Sequence, residues 1–190
     1  MKIKNKIIIF VGIVVLVALA FLFIPQNSMD EITRINGADG ANEDSELFPA
    51  WQFIELTDVR TGVKFTVNSF FGKPVLLESF AVWCPTCAKQ QEEIKKLHEE
   101  IGDSVVSISL DTDPNEDAQR VLKFIEENDF GWYYAVSPVE MTQLLVDDFG
   151  NSIVNAPSAP VILICEDGSY KRLENGVKRV DELKGEIAEC

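Results

Sequence analysis

Apolar positions fall into short blocks along this chain, and their spacing changes from block to block. The first, Ile7–Ile24, runs for 18 residues without a charge and is apolar on every face. That length is near the lower limit for a helix crossing a bilayer core. Pro25 follows it. Residues 25–47 are polar and acidic, with Gly37 and Gly40 and few large apolar side chains, so they read as a flexible linker. From residue 48 the pattern becomes that of a folded domain. Trp51–Leu56 alternates, and Arg60–Thr66 holds a Thr61-Gly62 turn signal, which together predict a short hairpin. Val75–Ala81 is a continuous apolar run, the mark of a central strand. Pro85 to about Ile101 is helical, with Ile94, Leu97 and Ile101 on one face. Val105–Leu110 predicts a second buried strand, Asn115–Asn128 a helix, Trp132–Val136 a strand and Val139–Phe149 another helix. Val161–Cys165 and Ser169–Leu173 flank the turn signal Glu166-Asp167-Gly168. Val180 to about Cys190 is a closing helix. Strands alternating with helices, ending in a hairpin and a helix, predict an α/β fold: a mixed β-sheet flanked by helices on both faces.

Charge gives the first block an orientation. Lys2, Lys4 and Lys6 precede it, and Asp30 and Glu31 follow. The positive-inside bias makes residues 1–6 cytoplasmic, 7–24 a single transmembrane anchor and everything beyond extracytoplasmic. A cleaved signal peptide, with Ala18-Leu19-Ala20 as the small-residue site, is the competing reading. Phe21-Leu22-Phe23-Ile24 extends the apolar run past that site and favours an anchor that is retained. The chain carries a net charge of −14. Such a surface repels nucleic acid and anionic headgroups. No phosphate-binding glycine pattern and no hydrolase triad are visible. His98 lies in a charged helical stretch and reads as an exposed surface residue.

The chemistry concentrates where the central strand hands over to the first long helix, at Trp83-Cys84-Pro85-Thr86-Cys87. Two cysteines two residues apart at a helix N-terminus can form a reversible disulfide. Unpaired N–H groups and the helix dipole favour a thiolate on Cys84, making it the nucleophile. Cys87, one turn on and expected to be deeper, can then resolve a mixed disulfide. Pro85 suits the first helical turn, where its missing N–H needed no partner. Trp83 is placed to shield one side of the pair. A zinc site would need four ligands, and only Cys165, Cys190 and His98 remain to supply them, so no metal or other cofactor is expected. A purely structural disulfide fits less well, because this arrangement at a helix start reads as exposed and reactive.

Glu78 is out of place in its apolar run. Alternation puts it on the face of Leu76 and Phe80. A carboxyl buried there would have a raised pKa and could take the proton from Cys87 as that thiol attacks. The alternative is a strand-edge glutamate that reaches solvent.

The run Leu77-Glu78-Ser79-Phe80-Ala81-Val82-Trp83-Cys84-Pro85-Thr86-Cys87, with Ala159-Pro160-Val161-Ile162-Leu163-Ile164 and Gly168 downstream, resembles the thioredoxin superfamily. Within it, residues 48–190 resemble the membrane-anchored TlpA/ResA-like thiol–disulfide oxidoreductases, including reductants of cytochrome c maturation. The resemblance implies a thioredoxin-like domain with an N-terminal hairpin and a central strand–helix insert after residue 104. It implies that Glu78 is the acid beneath the disulfide, that Pro160 is a cis-proline facing it (Pro157 being the competitor), and that Ala159 offers backbone groups to an extended substrate. The Pro85-Thr86 pair between the cysteines is similar to that of cytochrome-c-type reductants. The implied partners are protein thiols and disulfides, apocytochrome c among the candidates, and a membrane protein that donates electrons. A disulfide-forming oxidase is the first alternative. A thiol peroxidase would want Pro-x-x-x-Thr-x-x-Cys, which neither cysteine satisfies. A redox-inert binding module sits poorly with an intact CxxC.

The same topology places the remaining cysteines. With Pro160 near Cys84, the strand Val161–Cys165 runs away from the active site. The following strand returns, and the closing helix runs back. Cys165 and Cys190 are therefore expected to be neighbours at the far pole; whether they are bonded stays open.

Overall fold

The computed structural model describes residues 48–190; the expected anchor at 7–24 and linker at 25–47 lie outside them. Two short strands, β1 (Leu56–Thr57) and β2 (Lys64–Phe65), form a separate antiparallel pair. The main sheet contains β3 (Val75–Phe80), β4 (Val106–Asp111), β5 (Tyr133–Val136), β6 (Val161–Ile164) and β7 (Tyr170–Arg172), in the order β5-β4-β3-β6-β7. Strand β3 is parallel to β4, and β4 to β5; β6 is antiparallel to both β3 and β7. Among the described residues four α-helices complete the fold: α1 (Pro85–Ile101), α2 (Ala118–Asn128), α3 (Val139–Phe149) and α4 (Val180–Ala188).

All six residues of β3 are buried. Its alternation divides the core in two. Leu76 and Phe80 pack with Ile94 and Leu97 of α1, Val121 and Ile125 of α2, and Val180 and Leu183 of α4. Val75 and Leu77 face the other way, onto Met141 and Leu145 of α3 and onto Trp51, Leu56 and Phe65. Both faces of the sheet are therefore covered, which is why its strands read as continuous apolar runs rather than alternating ones.

Local chemistry moves some boundaries. Trp51 lies in a 3₁₀ turn, Ala50–Phe53, and not in the hairpin. The hairpin is held instead by the buried Asp58. Its Oδ2 accepts from the Thr61 backbone N–H and hydroxyl, and its Oδ1 accepts from Tyr134 N. Helix α2 starts at Ala118 and not at Asn115, because Asp117 caps it by accepting from Arg120 N at 2.9 Å.

At the far pole Cys165 and Cys190 are joined in a disulfide, with Cα atoms 5.2 Å apart. The topological expectation of neighbours holds, and the bond itself settles what the sequence left open.

Candidate active site

Strand β3 ends at Phe80, and the chain turns through Ala81–Cys84 into α1. Cys84 N donates to Ala81 O, and Cys84 is the N-cap residue of α1. Its sulfur accepts the Cys87 backbone N–H at 3.1 Å. The sequence thus puts a sulfur where serine or aspartate would ordinarily satisfy a free N–H. Pro85 opens the helix and is exposed; Thr86 is half-buried. Cys84 and Cys87 are unbonded.

Both cysteines are buried, Cys84 to 1% exposure and Cys87 to 0%. Cys87 is buried as expected, and the expectation of an exposed arrangement is corrected at Cys84, because the core of α1 and the 156–161 segment closes over the turn. Trp83 and Pro85 on either side of Cys84 remain exposed, so this sulfur lies directly beneath the surface. Cys87 is held as a thiol. It donates to Ala156 O at 3.1 Å, and burial, then the neighbouring Cys84, then the charge of Glu78 push its pKa well up.

Glu78 is fully buried on the Leu76 and Phe80 side of β3 and does not reach solvent. Burial pushes its pKa from 4.5 to about 8, against the lowering effects of Ser109, Gln91 and Lys178. Its Oε2 accepts from Ser109 Oγ at 3.1 Å, and Ser109 Oγ accepts in turn from Trp132 Nε1 at 2.9 Å. Its Oε1 is buried with no protein partner. A carboxyl with one oxygen fixed and one free, within electrostatic reach of a raised thiol, is equipped to exchange a proton with it.

Pro160 does not carry the cis bond that the resemblance implied, since every peptide bond among the described residues is trans. The chain reverses by other means. A 3₁₀ turn, Ala156–Ser158, ends on Ala159 in the left-handed region, φ 44°, and that residue redirects the chain into β6. Pro160 O accepts from Ser79 N, so Pro160 still lies against the end of β3. Ala159 is fully buried, and its carbonyl is taken by Lys178. Contact with Cys87 comes from Ala156 instead.

On the other flank the loop after β4 supplies residues that no local pattern announced. Trp83 is 57% exposed and donates from its indole to Asp113 Oδ2 at 2.6 Å. Glu116 Oε2 accepts Val82 N at 2.8 Å, and Asp111 Oδ1 accepts Asp113 N. Burial, with the adjacent Glu116 carboxylate adding to it, raises the pKa of Asp111 to about 7. Trp83 thus leans outward onto Asp113 and walls a cleft of about 230 Å³ with Ala81, Pro114, Ala156 and Pro157. Lys178 was likewise missed, having no motif around it. The only sequence signal for these groups is their charge.

His98 is corrected as well. It is half-buried, stacked on Trp132 at 5.7 Å, with Nε2 2.9 Å from Ser107 Oγ. Burial lowers its pKa. It lies on α1, with its ring against Ser107 at the start of β4, away from the cysteines.

A family model described as Redoxin matches residues 43–187. No curated protein sequence matches the chain. Among solved structures, a secreted disulfide oxidoreductase of Mycobacterium tuberculosis, homologous to DsbE of E. coli, is 20% identical with a TM-score of 0.55, over 74% of this chain and 97% of that one. A thiol:disulfide interchange protein of the thioredoxin family from Chlorobium tepidum is 15% identical with a TM-score of 0.59, over 72% and 91%. BsSco, of the Sco family of cytochrome c oxidase assembly proteins, is 20% identical with a TM-score of 0.57, over 71% and 89%. At these identities the likeness establishes a thioredoxin-like fold.

Proposed function

The chain belongs to the Redoxin family, and from that premise we propose that it is a thiol–disulfide oxidoreductase working through Cys84 and Cys87. It reduces disulfides in exported proteins, apocytochrome c among the candidates. The observation that carries this reading is the unbonded cysteine pair at the start of α1 with the buried Glu78 behind it. Cys84, as thiolate, attacks a substrate disulfide, and one substrate thiolate leaves and takes a proton from water. Cys87 then gives its proton to the Glu78 carboxylate and attacks Cys84 Sγ. The second substrate thiolate leaves with the electron pair and is protonated from solvent. The substrate gains two electrons, and Cys84–Cys87 is left as a disulfide. A membrane electron donor would return it to the dithiol.

The Cys165–Cys190 bridge supports an extracytoplasmic domain, since such bonds persist in oxidising compartments. The reading places residues 7–24 in the cell membrane as a single anchor with the N-terminus cytoplasmic. Insulin reduction by the purified domain, with the equilibrium potential of the Cys84–Cys87 couple, tests the activity and its direction. A potential near about −270 mV is expected for a reductant, whereas one near about −120 mV would make the protein a disulfide-forming oxidase. Absence of exchange with both thiols accessible would leave a redox-inert module.

A further inference from the structure

The segment 156–161 gathers three groups that the sequence holds far apart. Cys87 Sγ donates to Ala156 O, Lys178 Nζ donates to Ala159 O, and Glu78 pairs in register with Val161. Lys178 is only 7% exposed. Its backbone is clamped on both sides by the buried Gln90, whose Oε1 accepts Lys178 N at 2.7 Å and whose Nε2 donates to Lys178 O at 3.2 Å. Gln90 sits one turn after Cys87 on α1, so the active-site helix itself carries this clamp. Beyond Ala159 O, the ammonium has only a long contact to Glu174 O at 3.4 Å. Two carbonyls are a poor return for burying a full charge. A glutamine or a water-exposed lysine could tie off Ala159 O as well. What a cation adds at this place is charge.

The charged and titratable groups facing Lys178 are Glu78 on β3, Cys87 on α1, Arg172 on β7 and Glu182 on α4. Burial lowers the lysine pKa to about 8, while Glu78, Cys87 and Glu182 act to raise it and Arg172 to lower it. The influence is mutual, because Lys178 lowers the pKa of Glu78.

We propose that Lys178 is a positioning residue for disulfide exchange: its buried ammonium holds the negative charge that passes between Glu78 and Cys87 as Cys87 resolves a mixed disulfide. The proposal rests on the exchange chemistry given above. In the reactive form, which a pKa of about 8 makes the minority form at neutral pH, the charge is on the Glu78 carboxylate. The proton then moves from Cys87 Sγ to Glu78, the charge moves to the sulfur, and the sulfur attacks Cys84 Sγ while the substrate thiolate leaves. Within the buried site one negative charge is relocated and none is created, so a single fixed cation serves both states. Without it, both the carboxylate and the thiolate would be costlier to form.

The test separates the two exchange steps by rapid mixing of the full chain with a model disulfide. Cys84 attack is followed in a Cys87→Ser background and resolution in the otherwise intact protein. Lys178→Gln keeps a donor for Ala159 O and removes the charge. It should slow resolution about tenfold at neutral pH and move the pH–rate midpoint up by about one unit, the two being the same change in free energy. Cys84 attack should change little, and Lys178→Arg should retain the wild-type profile. An unchanged midpoint in Lys178→Gln, or an equal slowing of both steps, would overturn the assignment. Should Lys178→Gln fail to fold, NMR titration of Lys178 in Glu78→Gln decides the matter. Its midpoint must fall when the carboxylate is removed, and an unmoved midpoint overturns the proposal. Absence of exchange in the wild-type protein would instead remove the premise, and this assignment with it.

Discussion

The chain holds two cysteine pairs, and they invert the usual relation between nearness and bonding. Cys84 and Cys87 are two residues apart, buried and unbonded. Cys165 and Cys190 are 25 apart in sequence, half-buried and exposed respectively, and joined. Neither pair is explained by exposure. The first is fixed by a helix start that gives each sulfur its own partner, a backbone N–H for Cys84 and a carbonyl for Cys87. The second is fixed by where β6 ends and α4 returns, and no titratable site is built around it. Reactivity belongs to the pair with competing partners for the separated sulfurs, and permanence to the pair that only closes a loop.

Removing the reactive pair should break the contrast most sharply. Cys84→Ser is expected to bring insulin reduction to the uncatalysed background, and Cys87→Ser to accumulate mixed disulfides visible on non-reducing gels. Faster alkylation of Cys87 than of Cys84 in the reduced protein would reverse their roles.

The closed pair should answer in the opposite way. Opening a 25-residue loop by Cys165→Ser with Cys190→Ser is expected to cost about 3 kcal/mol on the chain-entropy account. Exchange rates at 25 °C should stay as they were. Equal chemical-denaturation midpoints for the two proteins would show that the bridge adds nothing to the fold.

Glu78 sharpens the comparison through pH. Its folded-state pKa, about 8, stands above its ordinary 4.5 because of burial. The folded protein therefore binds this proton more tightly than the unfolded chain does. The stability it contributes is complete below about pH 4.5 and is lost as pH rises through about 8. Glu78→Gln should abolish that decline, leaving the variant more stable than wild type at pH 8 by an amount of order a few kcal/mol and nearly equal to it at pH 5. The same variant should slow resolution by Cys87 near neutrality. Parallel stability–pH curves for the two proteins would count against a buried titrating Glu78.

The smallest effect is expected at Trp83. Its ring is largely exposed and its one polar contact is to Asp113. Trp83→Phe should change stability by less than about 1 kcal/mol. An altered substrate preference with unchanged stability, read from mixed-disulfide formation with several peptides, would mark the cleft beside it as part of substrate contact.

What the sequence determined is what short-range physics determines. The bounds of α1 and α3, the strand before the cysteines and the redox pair itself follow from periodicity, a proline and a spacing of two. Glu78 was legible because a carboxyl in an apolar strand is costly enough to need a reason. The far-pole meeting of Cys165 and Cys190 could be reasoned from strand direction, but not their bond, which depends on a Cα separation of a few ångströms. Tertiary structure alone decided the rest. Ala159 turns the chain with a left-handed backbone and trans bonds, and His98 is stacked away on Trp132. Asp111, Glu116 and Lys178 approach the active site from the end of β4, the loop after it and the approach to α4, over separations that leave no periodic trace in the sequence. Their pKa values are shifted chiefly by burial, and burial is a property of the packed sheet and helices, not of any residue's neighbours in the chain.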